Sequence, residues 1–229
     1  MTSVCFFSLE KPTIASPKIL SVKVGEDFPV SPNRTMRPFR TTHRVPSNGY
    51  LIYKQEKSLL PQFQNLTGYE IGALVAAGTE VHEKHSVPEM AYTGDTTFDC
   101  FLDPANADIL QARILITEAT YIDDRQSPAK AKERGHTHLM DIAKNAELFR
   151  DVGALVLVHL SDRYNATQAD HWMRRCLPPW LISKTWVPTI ARTSSRISIV
   201  DLRGFSSSVF LNFYMEHFVR NFLQYFSFH

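Results

Sequence analysis

Two nearly unbroken apolar runs constrain this chain more than any other feature. ARILITEAT (residues 112–120) and GALVLVHLS (153–161) each read as a strongly apolar, buried strand. Between them lie two helical signals. Ser127 and Pro128 form a good N-cap and first-turn pair for a helix that closes at Gly135. HLMDIAKNAELFRDV then places Leu139, Ile142, Ala143, Ala146 and Phe149 on one helical face. Strands alternating with helices predict an α/β layered fold.

The segments upstream fit that plan. KILSVKVGEDFPV predicts a strand, a turn at Gly25 and the start of a second strand. MRPFRTTH predicts a strand ending at His43, and YLIYK its return, with the Asn48–Gly49 pair of VPSNG expected to make the reversal. TGYEIGALVAAG predicts a short helix capped by Thr67 and closed by Gly78. EMAYTGDT predicts a strand running into a Gly–Asp turn, and NADILQ a short helix. The first 18 residues, rich in Pro and Ser, are expected to be irregular. Residues 180–229 form an aromatic-rich tail, with Leu211, Tyr214, Phe218, Phe222 and Tyr225 at the spacing of an amphipathic helix.

The length of 229 residues suits one domain with extensions. A net charge of +2 is too small to argue for nucleic acid by itself, although a local basic surface remains compatible with it. Cys5, Cys100 and Cys176 are odd in number and scattered, which favours a reducing, intracellular compartment over a disulfide scaffold. The N-terminus shows no secretory signal pattern, and no stretch is long and apolar enough to span a bilayer, so no membrane partner is expected. Cytoplasm, nucleus and organelle all remain open.

Polar residues sit at the ends of three apolar strands: His43, Asp95 and His159. Loops at strand ends commonly carry the chemistry of layered α/β folds. Each residue also has a plainer reading, as a packed histidine or a turn aspartate. Glu118, on a strand that looks buried, is harder to dismiss, because a lone buried carboxylate is costly. GHTHLMD (135–141) mimics the start of a dinuclear H-x-H-x-D-H metal motif, but Met140 and Asp141 break it, and no other segment supplies that run.

FRTTHRVPSNGY, YTGDTT, ILITEATYIDD, AKERGHTHLMDIA and LVLVHLSDRY follow one another in an order that resembles tRNase Z, in the short form of plants. The resemblance covers about Ile19 to Pro179. It implies an αββα metallo-β-lactamase-like sandwich, incomplete at the N-terminus, and removal of the 3′ trailer from precursor tRNA. It implies two zinc ions per subunit, with His43 on one, His159 on the other and Asp95 bridging them, to activate water and steady the oxyanions of phosphodiester cleavage. His136 would pair with Glu118 as a general acid for the leaving oxygen. Arg163 would contact phosphate or stabilise the fold. Residues 54–88 would form a tRNA-gripping arm, with Lys54, Lys57 and Lys84 against phosphates. A homodimer, or pairing with a full-length subunit, is implied as well. The family's H-x-H-x-D-H segment does not occur in these 229 residues. Two alternatives therefore stay open: a zinc-dependent endoribonuclease, or a non-catalytic relative that binds tRNA or a full-length subunit.

Overall fold

In the computed structural model, the backbone is described for residues 2–7, 18–190 and 197–201, and the side chains for residues 21–188. In chain order come β1 (Thr2–Phe7), β2 (Lys18–Lys23), β3 (Phe28–Ser31), β4 (Arg34–Thr41), β5 (Ser47–Leu59), helix α1 (Gly68–Ala76) and β6 (His82–Tyr92). Then follow β7 (Ile114–Glu118), α2 (Pro128–Glu133), α3 (Leu139–Lys144), β8 (Ala154–Val158), α4 (Ala166–Cys176), α5 (Pro179–Ile182), β9 (Thr185–Ile190) and β10 (Ile197–Asp201). Eight of the strands form one sheet in the order β10-β9-β8-β7-β6-β5-β4-β3. Strands β3 to β6 pair antiparallel, β6 to β9 pair parallel, and β10 returns antiparallel on β9. The chain is thus mixed α/β around a large sheet, as the alternation of strands and helices predicts.

The two apolar runs lie side by side at the centre of the sheet as β7 and β8. Their residues alternate between two packed faces, which is why the runs lack the usual polar alternation. Leu115, Leu155 and Leu157 face a core that includes Ile109, Leu139, Ile142, Phe149, Met173 and Leu181. Ile116, Val156 and Val158 group with Met90 in a separate cluster. The helix caps read from sequence hold: Ser127 accepts from the Lys130 amide, and Thr67 forms a reciprocal capping box with Glu70.

Four expectations need correction. The Asn48–Gly49 pair makes no turn, because it lies inside β5, and the reversal falls at residues 42–46. Packing accounts for the glycine: a Cβ there would lie 2.2 Å from the Phe39 ring and 2.7 Å from the Tyr92 carbonyl oxygen. The HLMDIAKNAELFRDV helix breaks at Asn145, whose side chain donates to the Asp141 carbonyl at 2.9 Å and competes with the helical ladder. Its apolar face survives the break, with Leu139, Ile142, Ala146 and Phe149 buried. The sheet also continues past Pro179: β9 pairs with β8, and Leu181 and Val187 join the core. Finally, residues 2–7 of the segment expected to be irregular pair with β2; TSVCFF is rich in the β-branched and aromatic types that favour strands. The expected amphipathic helix from Leu211 to Tyr225 lies outside the described residues.

Candidate metal centre

The site forms where four strands end on the same edge of the sheet. His43 lies two residues beyond β4, Asp95 three beyond β6, and His159 immediately after β8, while Glu118 closes β7. His136 reaches the same place from the loop that leaves α2. A ligand atom from each of Asp95, His136 and His159 lies within 4.8 Å of the others. His43 stands outside that trio, but its ring centroid is 5.2 Å from that of His136.

Glu118 is the buried support of the site, at 1% exposure. Its carboxylate is well supplied with donors. Oε1 accepts from the Thr96 amide at 2.7 Å and from His136 Nδ1 at 3.0 Å, and Oε2 accepts from the Thr120 hydroxyl. These bonds offset the desolvation that would otherwise make a buried carboxylate costly. They also act on His136. The hydrogen bond it donates to Glu118 raises the His136 pKa above the ordinary histidine value, against a smaller opposing effect of burial. The imidazolium form is therefore favoured, which suits a proton donor.

Hydrogen bonds also set which nitrogen each ring presents. His43 Nδ1 lies 2.8 Å from the Gly135 carbonyl oxygen. A carbonyl only accepts, so Nδ1 carries the proton and Nε2 is the bare nitrogen of the neutral ring. Thr120 gives its hydroxyl proton to Glu118, which leaves its oxygen to accept from His159 Nδ1 at 2.8 Å. His159 holds a left-handed backbone (φ 57°), unusual for a non-glycine residue. Its Nδ1 lies 3.6 Å from Asp95 Oδ1.

The donor chemistry fits a zinc ion. Carboxylate oxygen and neutral imidazole nitrogen are ordinary zinc ligands, and histidine ligands usually donate their other ring N–H to protein oxygen. His43 and His159 both meet that second condition.

The remaining candidates lie elsewhere. His138, the second histidine of GHTHLMD, is structural: it is 1% exposed, Nδ1 accepts from the Met140 amide, and Nε2 donates to the carbonyls of Asp123 and Gln126. It caps α3. Arg163 donates to Ser161, and its guanidinium lies over the rings of Tyr121 and Tyr164 at 5.2 and 5.5 Å. Tyr121 in turn meets His136 edge-on, so Arg163 borders the centre. The lysines do not come near it. Lys54 pairs with Glu56 at 3.1 Å, while Lys57 and Lys84 stand opposite each other on the ladder between β5 and β6. From Tyr92 at the site end back to Lys84 is roughly 26 Å at the usual strand rise.

Sequence reasoning missed the threonines that bind these loops together. The Thr42 amide donates to Thr96 Oγ1 at 3.1 Å, the Thr97 amide donates to the Thr42 carbonyl, and the Thr137 hydroxyl donates to the Thr96 carbonyl. The recurrence of threonine close to His43, Asp95, Glu118 and His136 (Thr41–Thr42, Thr96–Thr97, Thr120, Thr137) is the signal that was available.

No family model matches the chain. A chloroplastic tRNase Z of Arabidopsis thaliana is 40% identical over 151 residues, covering 66% of this chain and 42% of the relative. Over those residues this chain is similar to tRNase Z. A second tRNase Z of the same plant is 34% identical over 161 residues, covering 70% of this chain and 57% of the relative. A ribonuclease Z of Sulfolobus acidocaldarius is 30% identical over 152 residues, covering 59% of this chain and 49% of the relative. The chain thus spans about half the length of the curated relatives it matches. Among solved structures, the short form of human tRNase Z aligns at 26% identity with a TM-score of 0.34, over 58% of this chain and 38% of that one. The metallo-β-lactamase fold protein YhfI of Bacillus subtilis aligns at 17% identity with a TM-score of 0.43, over 72% of this chain and 50% of that one. Among the described residues, no helix is long and apolar enough to cross a membrane.

Proposed function

We propose that this chain carries part of a zinc-dependent endoribonuclease centre that removes the 3′ trailer of precursor tRNA. The observation that supports this most is the buried Glu118 holding His136 beside Asp95 and His159. A purely structural carboxylate needs no neighbouring trio of metal-type donors. Asp95, His159 and His43 would hold zinc, which supplies an activated water and stabilises developing oxyanions. Asp95 is carried on a loop whose next amide, that of Thr96, is fixed to Glu118. His136 holds a proton on Nδ1 toward Glu118, and its other nitrogen would protonate the leaving oxygen.

The ribbon beyond the sheet would serve the same substrate. Beyond Lys54, β5 has no β4 partner, so residues 55–59 and 82–88 project as two strands tipped by α1. Lys57 and Lys84, like charges directly opposite, would gain from a phosphate between them. Their distance from the site makes them fit a remote part of the same tRNA or one bound by another subunit. We place the chain inside the cell in a dimer or beside a full-length subunit.

The test is to incubate the full chain with zinc and a precursor tRNA bearing a 3′ trailer. Cleavage at the trailer junction that Asp95→Ala abolishes is the expected result. A second reading draws on the ribbon with its paired Lys57 and Lys84: a chain that binds precursor tRNA without cutting it. Salt-sensitive binding with no cleavage at any zinc concentration selects that reading.

A further inference from the structure

We propose that Gly135 is a positioning residue for His43: its carbonyl fixes the ring's tautomer, and its missing side chain leaves the space the ring occupies. The inference rests on the proposed role of His43 as a zinc ligand. Helix α2 sets the glycine's conformation. The Gly135 amide donates to the Lys132 carbonyl at 2.9 Å and the His136 amide to the Ala131 carbonyl at 2.9 Å, with Gly135 at φ +83°. This is the left-handed helix ending that glycine favours.

Two bonds beyond the glycine then fix the loop. His136 is tied to Glu118, and Thr137 to the Thr96 carbonyl at 2.8 Å. The Gly135 carbonyl is therefore held by the protein, independently of any metal, and is aimed at His43 Nδ1 at 2.8 Å. It leaves Nε2 as the nitrogen able to bind a metal. A Cβ on residue 135 would lie 2.7 Å from His43 Nδ1, 3.0 Å from the Arg44 amide nitrogen and 3.2 Å from Arg44 Cγ. The imidazole or the backbone at Arg44 would have to shift. One short loop thus orients two rings: Gly135 sets His43, and the next residue is itself His136.

The experiment uses the full 229-residue chain, metal-free, with ¹⁵N-labelled histidine. Its nitrogen spectra are expected to show His43 protonated on Nδ1. Gly135→Ala should mix or reverse that tautomer and weaken cobalt(II) binding by about 10–100-fold, the range for lost outer partners of a ligand. In a His43→Ala background, the same change should leave cobalt binding unaltered, because the ring it displaces is gone. An Nε2-protonated His43 in the unsubstituted chain overturns the proposal, and so does equal weakening in both backgrounds. If Gly135→Ala fails to fold, the tautomer of the unsubstituted chain still decides. A chain that binds no cobalt defeats the metal-centre reading instead, and the tautomer result stands apart from it.

Discussion

Strands β5 and β6 run from the threonine-rich loops of the site at one end to an exposed ribbon at the other, and the two ends are held in different ways. At the site end, loops from β4, β6, β7, β8 and α2 are cross-linked through Thr42, Thr96, Thr120 and Thr137, and Glu118 is buried among its donors. At the ribbon end, α1 buries none of its residues, and Tyr69 is 89% exposed. Its order rests on local devices, the Thr67–Glu70 capping box and the Gly78 ending. Substitutions at the site end should therefore propagate across several loops, and those in the ribbon should stay local.

The largest effect is expected at Glu118. Glu118→Ala removes the carboxylate that the Thr96 amide and the His136 ring share, and should cost about 3–5 kcal/mol of stability, read by denaturant unfolding. A loss under about 1 kcal/mol would show that the site end is not the rigid part. The same pair predicts a pH dependence in the metal-free chain. The His136 pKa is raised by Glu118, so its contribution is fully present below the unfolded value near 6.5 and lost as pH rises through the higher folded value. Glu118→Gln should flatten that slope.

Replacing residues 60–81 with a short hairpin turn should sharpen the contrast from the other side. The melting temperature should shift by only a few degrees, as for a change of about 1 kcal/mol. Affinity for precursor tRNA should fall by about tenfold or more through lost phosphate contacts. Within the ribbon, Lys57→Ala with Lys84→Ala should reduce the slope of log affinity against log salt by about 1–2. Thr67→Ala should cost about 1 kcal/mol in α1 alone, visible as faster amide exchange there with unchanged global unfolding.

The smallest change belongs to the site end. Among the described residues, Thr97 Oγ1 is a buried hydroxyl oxygen without a hydrogen-bond partner. Thr97→Val should be neutral or stabilising by up to about 1 kcal/mol, because it removes an unmet polar group while keeping the shape. Marked destabilisation would mean that this hydroxyl takes part in the threonine network.

What the sequence disclosed follows this same division. The buried strands and the caps at Ser127 and Thr67 were legible because they are written in consecutive residues. His43, Asp95, Glu118, His136 and His159 were legible as members of ordered motifs. The contacts that orient them were not, since each joins residues distant in the chain: His43 meets Gly135 92 positions away, and the Thr137 hydroxyl meets Thr96 41 positions away. The misplaced turn has the same origin. Asn48–Gly49 has ideal turn chemistry locally, yet the glycine is used to admit Phe39. Asn145 likewise looked like an ordinary helical residue until its side chain bonded back to Asp141.

The proposed function depends above all on metal binding at the strand ends. Zinc titrated calorimetrically into the metal-free 229-residue chain should bind, and both Asp95→Ala and His159→Ala should abolish that binding while leaving the fold intact. Binding that survives both substitutions, or a folded chain that takes up no zinc, would contradict it.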